Sequence, residues 1–121
     1  EGGVYRAIAT LCVKVARDPL LAKLGFSEVF APGLNGMRCR ERLVHATATL
    51  LRDEAAPAQR PSQLAAEASI GAVWGVMHHH VVNNRAKQLP WLAATLSYLA
   101  LAPAVGGSAA VAAIRAEQTD R

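Results

Sequence analysis

Hydrophobic positions fall into helical spacings from the start of the chain. Val4, Ile8, Leu11 and Val15 recur every three or four residues, while Arg6, Thr10, Lys14 and Arg17 take another face. That pattern predicts an amphipathic helix over 4–17. Asp18-Pro19 predicts its end and the start of the next, with Asp18 as N-cap and Pro19 in the first turn. The second helix is expected from Leu20 to Ala31, carrying Leu20, Leu21, Leu24, Phe26, Val29 and Phe30. Pro32-Gly33 breaks it and Asn35-Gly36 prolongs the turn. A third helix is expected from Met37 to Ala55, with Met37, Val44, Thr47, Ala48 and Leu51 inward and Arg38, Arg42, His45 and Arg52 outward. Residues 56–61, with Pro57 and Pro61, read as a loop.

Two segments with almost no polar side follow. Ser62 caps the first, which runs to Asn83-Asn84-Arg85. The second is expected over Leu89–Ala102, with Pro90 in its first turn and Pro103 and Gly106-Gly107 ending it. A short, weak helix, Ser108 to Glu117, precedes a polar tail. No charged residue occurs between Leu89 and Ile114. A helix that is apolar all round must be buried on several sides, so a bilayer or a second copy of the chain has to cover these two.

Advancing about 100° per residue sorts the first of them into three stripes. Ala65, Ala68, Ser69, Ala72, Gly75 and Val76 make a smooth face suited to close helix–helix approach. Ala66, Ile70, Val73, Trp74, Met77 and Val81 make a bulky face suited to the domain's own core. A narrow strip of Glu67, Gly71, His78 and Arg85 is left for water. Glu67 and the histidines are expensive in hydrocarbon. The second helix, ended by Pro103, is too short for the ~20 residues a bilayer needs. No membrane insertion is therefore expected, and a homodimer built as a four-helix bundle is. A membrane-associated helical hairpin is the remaining alternative.

Composition supports a single all-α domain, with 121 residues of which 52% are hydrophobic and only 5% aromatic. The core is expected in 4–103, with 104–121 as weak helix and tail; no internal repeat or strand-period segment occurs. The net charge of +4 comes from basic residues spread from Arg6 to Arg121. The densest group, Arg38, Arg40 and Arg42, cannot form one tight patch on a helix. The charge therefore bears on solubility and long-range steering. Cys12 and Cys39 lack metal-type spacing and read as reduced, semi-buried thiols of a cytoplasmic protein, with one disulfide as the alternative. The chain begins at Glu1 without methionine or a charged leader, so no signal peptide is expected and an N-terminal part is expected to be missing.

The ordered segments Asp18-Pro19 through Phe26, Glu28 and Phe30, then Arg40-Glu41-Arg42, carry a resemblance. Leu64-Ala65-Ala66-Glu67-Ala68, Gly71 to Gly75, Leu89-Pro90 and Leu96 to Pro103 extend it. Together, from about Val4 to Pro103, they resemble the C-terminal regulatory domain of TetR/AcrR-type bacterial transcription regulators, many of them repressors. The resemblance implies an all-α homodimer whose last two long helices form a four-helix dimer bundle. It also implies an effector cavity between the preceding helices. The helix-turn-helix of that family lies upstream of such a domain and no segment here resembles it, so operator DNA is expected as a partner only through that missing part.

Candidate chemistry is sparse. His78-His79-His80 point about 100° apart on a helix, so they cannot grip one metal, and the i,i+4 pair of a helical zinc site is absent. They read as polar residues at a dimer seam or helix end, with ligand binding or pH response as the alternative. Cys39 and His45 fall on opposite sides of their helix, Ser69, Thr47 and Thr95 lack an arranged base, and Asp53-Glu54 reads as a solvated helix end. Neither catalysis nor a cofactor is expected.

A mostly apolar effector pocket would draw on Phe26, Phe30, Met37, Val44, Thr47, Trp74, Met77 and His78. The dimer interface would draw on Ala65, Ala68, Ser69, Ala72, Gly75, Val76, His79, Leu92, Leu96 and Leu99. The expected function is a ligand-sensing, homodimerising domain that takes a small hydrophobic effector. A helical interaction or scaffold module with a solid core is the alternative.

Overall fold

A computed structural model describes residues 3–26, 34–55 and 57–119, with the side chains of residues 34–37, 39, 54 and 59 outside that description. Among the described residues every regular element is helical. The order is α1 (Val4–Arg17), α2 (Pro19–Phe26), α3 (Leu34–Glu54), α4 (Gln63–Val82), α5 (Ala93–Val105) and α6 (Gly107–Thr119). A 3₁₀ turn at Pro57–Gln59 joins α3 to α4, and a 3₁₀ segment, Ala86–Leu92, leads into α5.

Local chemistry sets most of these boundaries. Asp18 Oδ1 accepts the amides of Leu20 and Leu21, both at 3.1 Å, so it caps α2 with Pro19 at the first helical position. Ser62 Oγ accepts the amide of Ala65 at 3.1 Å and caps α4. At the other end of α4, the amide of Arg85 bonds His80 O at 2.7 Å and that of Asn84 bonds Val81 O at 3.1 Å. This is a Schellman closure, and Asn84 takes the left-handed conformation it requires, with φ 58°.

Four expectations give way. Helix α3 starts at Leu34, so Asn35-Gly36 lies in its first turn, where poor helix formers cost least. Pro103 lies inside α5. The helix runs on to Val105 and stops at Gly106, whose φ of +85° no β-branched or bulky residue adopts without strain. The weak C-terminal helix is a full 13 residues. The length argument against a bilayer also falls. Ala86–Val105 forms 20 helical residues of mean hydropathy 1.2, enough by length and composition to cross one. Leu89, Ala93, Leu96, Ser97, Ala100 and Leu101 of this segment are nevertheless buried within the bundle.

Helix α4 is the hub, packing against α2, α3, α5 and the 3₁₀ segment, while α1 lies across that segment and α5. Ala66, Ile70, Val73 and Met77 of α4 join Val44 and Ala48 of α3, Cys12 and Val15 of α1, and Leu89 and Leu96 in the main core. The bulky stripe thus faces inward. In α1 the buried set is Ala9, Cys12 and Val15, and Leu11 is exposed. A smaller second core of Leu101, Ala110 and Ile114 fastens α6 to α5, with Val4 and Tyr5 packed against it.

Candidate functional site

The strip of α4 left for water by the sequence pattern instead faces other parts of the protein. Gly71 faces the Arg40 guanidinium, which lies 3.7 Å from where a β-carbon would sit. Glu67 Oε1 lies 3.5 Å from His45 Nδ1 of α3. His78 Nδ1 donates to the carbonyl of Phe26 at the end of α2. These polar groups are satisfied across helix–helix seams, so polarity here marked contact with a neighbour. Of that strip, Arg85 alone is fully exposed.

Phe26 and Trp74 pack at a centroid distance of 4.8 Å and an interplanar angle of 40°. Phe26, Val44 and Met77 of the expected effector pocket are buried. Among the described residues Trp74 Nε1 is buried without a hydrogen-bond partner, which costs about 1–3 kcal/mol. Phe30 and the side chain of Met37 lie outside the described residues. Thr47 is exposed, its Oγ1 donating to Leu43 O at 2.7 Å.

Thr47 instead borders an apolar cleft of about 440 Å³ between α1 and α3. Gly3, Val4, Ala7 and Ile8 form one wall and Thr47, Leu50 and Leu51 the other, with Ile70 and Ala100 closing the floor. Among the described residues no ionisable side chain lines it. A neutral, apolar molecule is the chemistry such a cleft accepts, with the Thr47 oxygen as a side-chain acceptor. Sequence reasoning missed this wall. It is assembled from medium-sized residues of four helices, and only the spacing of those helices leaves room between them.

Helix α4 carries the other feature. Leu64, Ala68, Ala72, Gly75, His79 and Val82 of α4 are all exposed, Leu64 at 80% and Val82 at 47%. They fall within about 80° of one another around the helix, making an uncharged stripe along its whole length. Of the expected interface residues, Ala68, Ala72, Gly75 and His79 lie on it. Val76, Leu92 and Leu99 are half-buried against the core, and Ala65 is half-buried. Ser69 and Leu96, at 7% and 0% exposure, belong to the protomer's interior and offer no surface to a second chain. Trp91 and Tyr98, at 88% and 40%, are exposed apolar residues that the sequence reading left out; their spacing with Thr95 was the available signal.

The three adjacent histidines act separately. His78 bonds Phe26 O, His80 Nδ1 donates to Val76 O at 2.9 Å, and His79 is exposed. Among the described residues no three His, Cys, Asp or Glu side chains converge on a point that could hold a metal. Comparison of the chain with protein-family models, curated proteins and solved structures finds no match.

Proposed function

We propose that this chain is a ligand-sensing, homodimerising regulatory domain of the TetR/AcrR type, governing DNA binding by a helix-turn-helix elsewhere in its protein. The observation that carries the reading is the uncharged stripe of α4, exposed along a helix whose opposite face fills the core. A soluble bundle gains by covering such a face, and a second copy supplies a helix of the same smooth texture. The apolar cleft between α1 and α3 supports the sensing half, and the effector it suits is small and uncharged. Binding acts through different affinity for two dimer arrangements and needs no chemical step.

Sedimentation velocity tests the dimer. The wild-type chain is expected to sediment as a dimer and Ala72→Arg, which places a charge mid-stripe, as a monomer. Wild-type monomers at all concentrations, or a dimer untouched by Ala72→Arg, would sink the reading of this face. The close packing of Phe26 on Trp74 favours a second reading, a helical interaction module with a solid interior. The two separate on thermal stability. A ligand that binds only the native state raises the midpoint, whereas a scaffold is indifferent to small apolar compounds.

A further inference from the structure

Among the described residues, helix α1 begins without a cap from its own N-terminal end. Its N-cap, Gly3, has no side chain to accept a bond, and its first turn holds no acidic residue. An acceptor for that turn comes from α6. Glu117 Oε2 accepts the amide of Tyr5 at 3.3 Å and Oε1 that of Arg6 at 3.2 Å, from 112 and 111 residues away. Its side chain is buried, with 4% of the residue exposed, and α6 holds it there through Ala110 and Ile114. The same turn of α1 is the wall of the apolar cleft, since Gly3, Val4, Ala7 and Ile8 all line it.

The geometry points to Glu117 as a latch through which α6 regulates ligand binding in the α1–α3 cleft. With the carboxylate in place, two first-turn amides of α1 are bonded to it and the wall is helical. When α6 withdraws, the first turn frays, Val4 and Ala7 leave their positions, and the binding-competent fraction falls. Local opening thereby couples a helix that does not line the cleft to the ligand inside it. This inference rests on reading the cleft as a ligand site.

The test uses the full chain, its Glu117→Ala and Glu117→Gln variants, and the uncharged fluorophore N-phenyl-1-naphthylamine as probe. Amide hydrogen exchange at Tyr5 and Arg6 is expected to speed up about tenfold in Glu117→Ala while the amides of α4 stay as they were. Probe affinity should fall about two- to tenfold. Glu117→Gln keeps one strong acceptor and should lie between, and it carries the comparison if the alanine variant does not fold. Exchange that rises alike in every helix, or not at all, overturns the latch. Probe uptake with equal affinity in all three proteins overturns the regulation and leaves the cleft reading standing. A wild type that takes up no probe overturns the cleft reading and the regulation with it.

Discussion

Cys12 illustrates how much one buried atom fixes. It is 0% exposed, and burial pushes its thiol up from 9.0 to about 11, because a thiolate there would lose its hydration. The thiolate is the reactive form, so in a Cys39→Ser background Cys12 should resist an aromatic disulfide reagent at mildly alkaline pH and react once the chain is unfolded. The folded value lies above the unfolded one. The stabilising contribution is therefore complete below pH 9.0 and is lost as pH rises towards about 11. Denaturant titrations across that window should fall more steeply for wild type than for Cys12→Ala. Parallel curves would mean that the thiol is not held in an apolar site.

Among the elements, what was legible in the sequence was whatever is decided within a few residues. Asp18-Pro19, Ser62 and Asn83-Asn84-Arg85 set helix ends by bonds spanning two to five positions, and each acts where its pattern placed it. Ser62→Ala, which strips the cap from the hub helix, should cost about 1 kcal/mol, read as a lowered denaturant midpoint with an unchanged slope. An unshifted midpoint would mean that α4 starts without this bond. Facing was harder to read. Glu67, Gly71 and His78 have the composition of a solvent strip, yet their neighbours are His45, Arg40 and the Phe26 carbonyl, which only the placement of α2 and α3 supplies. Large apolar residues identified the core well, since Phe26 and Met77 are buried in it with Trp74 packed against it. The cleft lies where residues the size of Ala7, Thr47 and Ala100 meet, and only the spacing of their helices opens it. Proline has a similar lesson at Pro103. It removes one hydrogen bond near a helix end and does not decide where the end falls; Gly106 does.

At the scale of the molecule, the question is how a pair of largely apolar helices, α4 and α5, is shared between one chain and its surroundings. Helix α5 is covered by α1 and α4 on its inner side and by α6 beyond them, so α6 completes the bundle and is more than a tail. Three contributions leave with it. Ile114 loses its burial and Leu101 its cover, each worth about 1.5–3 kcal/mol. The first turn of α1 loses the Glu117 carboxylate, worth about 1 kcal/mol. Together these reach about 4 kcal/mol or more, a large share of the stability of a domain this size. A chain ending at Gly106 should therefore melt more than about 10 °C below the full protein. It should also bind an apolar dye, because the side of α5 that carries Leu101 is then open to water. Calorimetry with a dye titration checks both. Exposure of Leu101 and fraying of α1 would appear together if α6 ties the two ends of the chain into one cooperative unit. An unchanged midpoint would make α6 an appendage and leave the bundle to close on five helices.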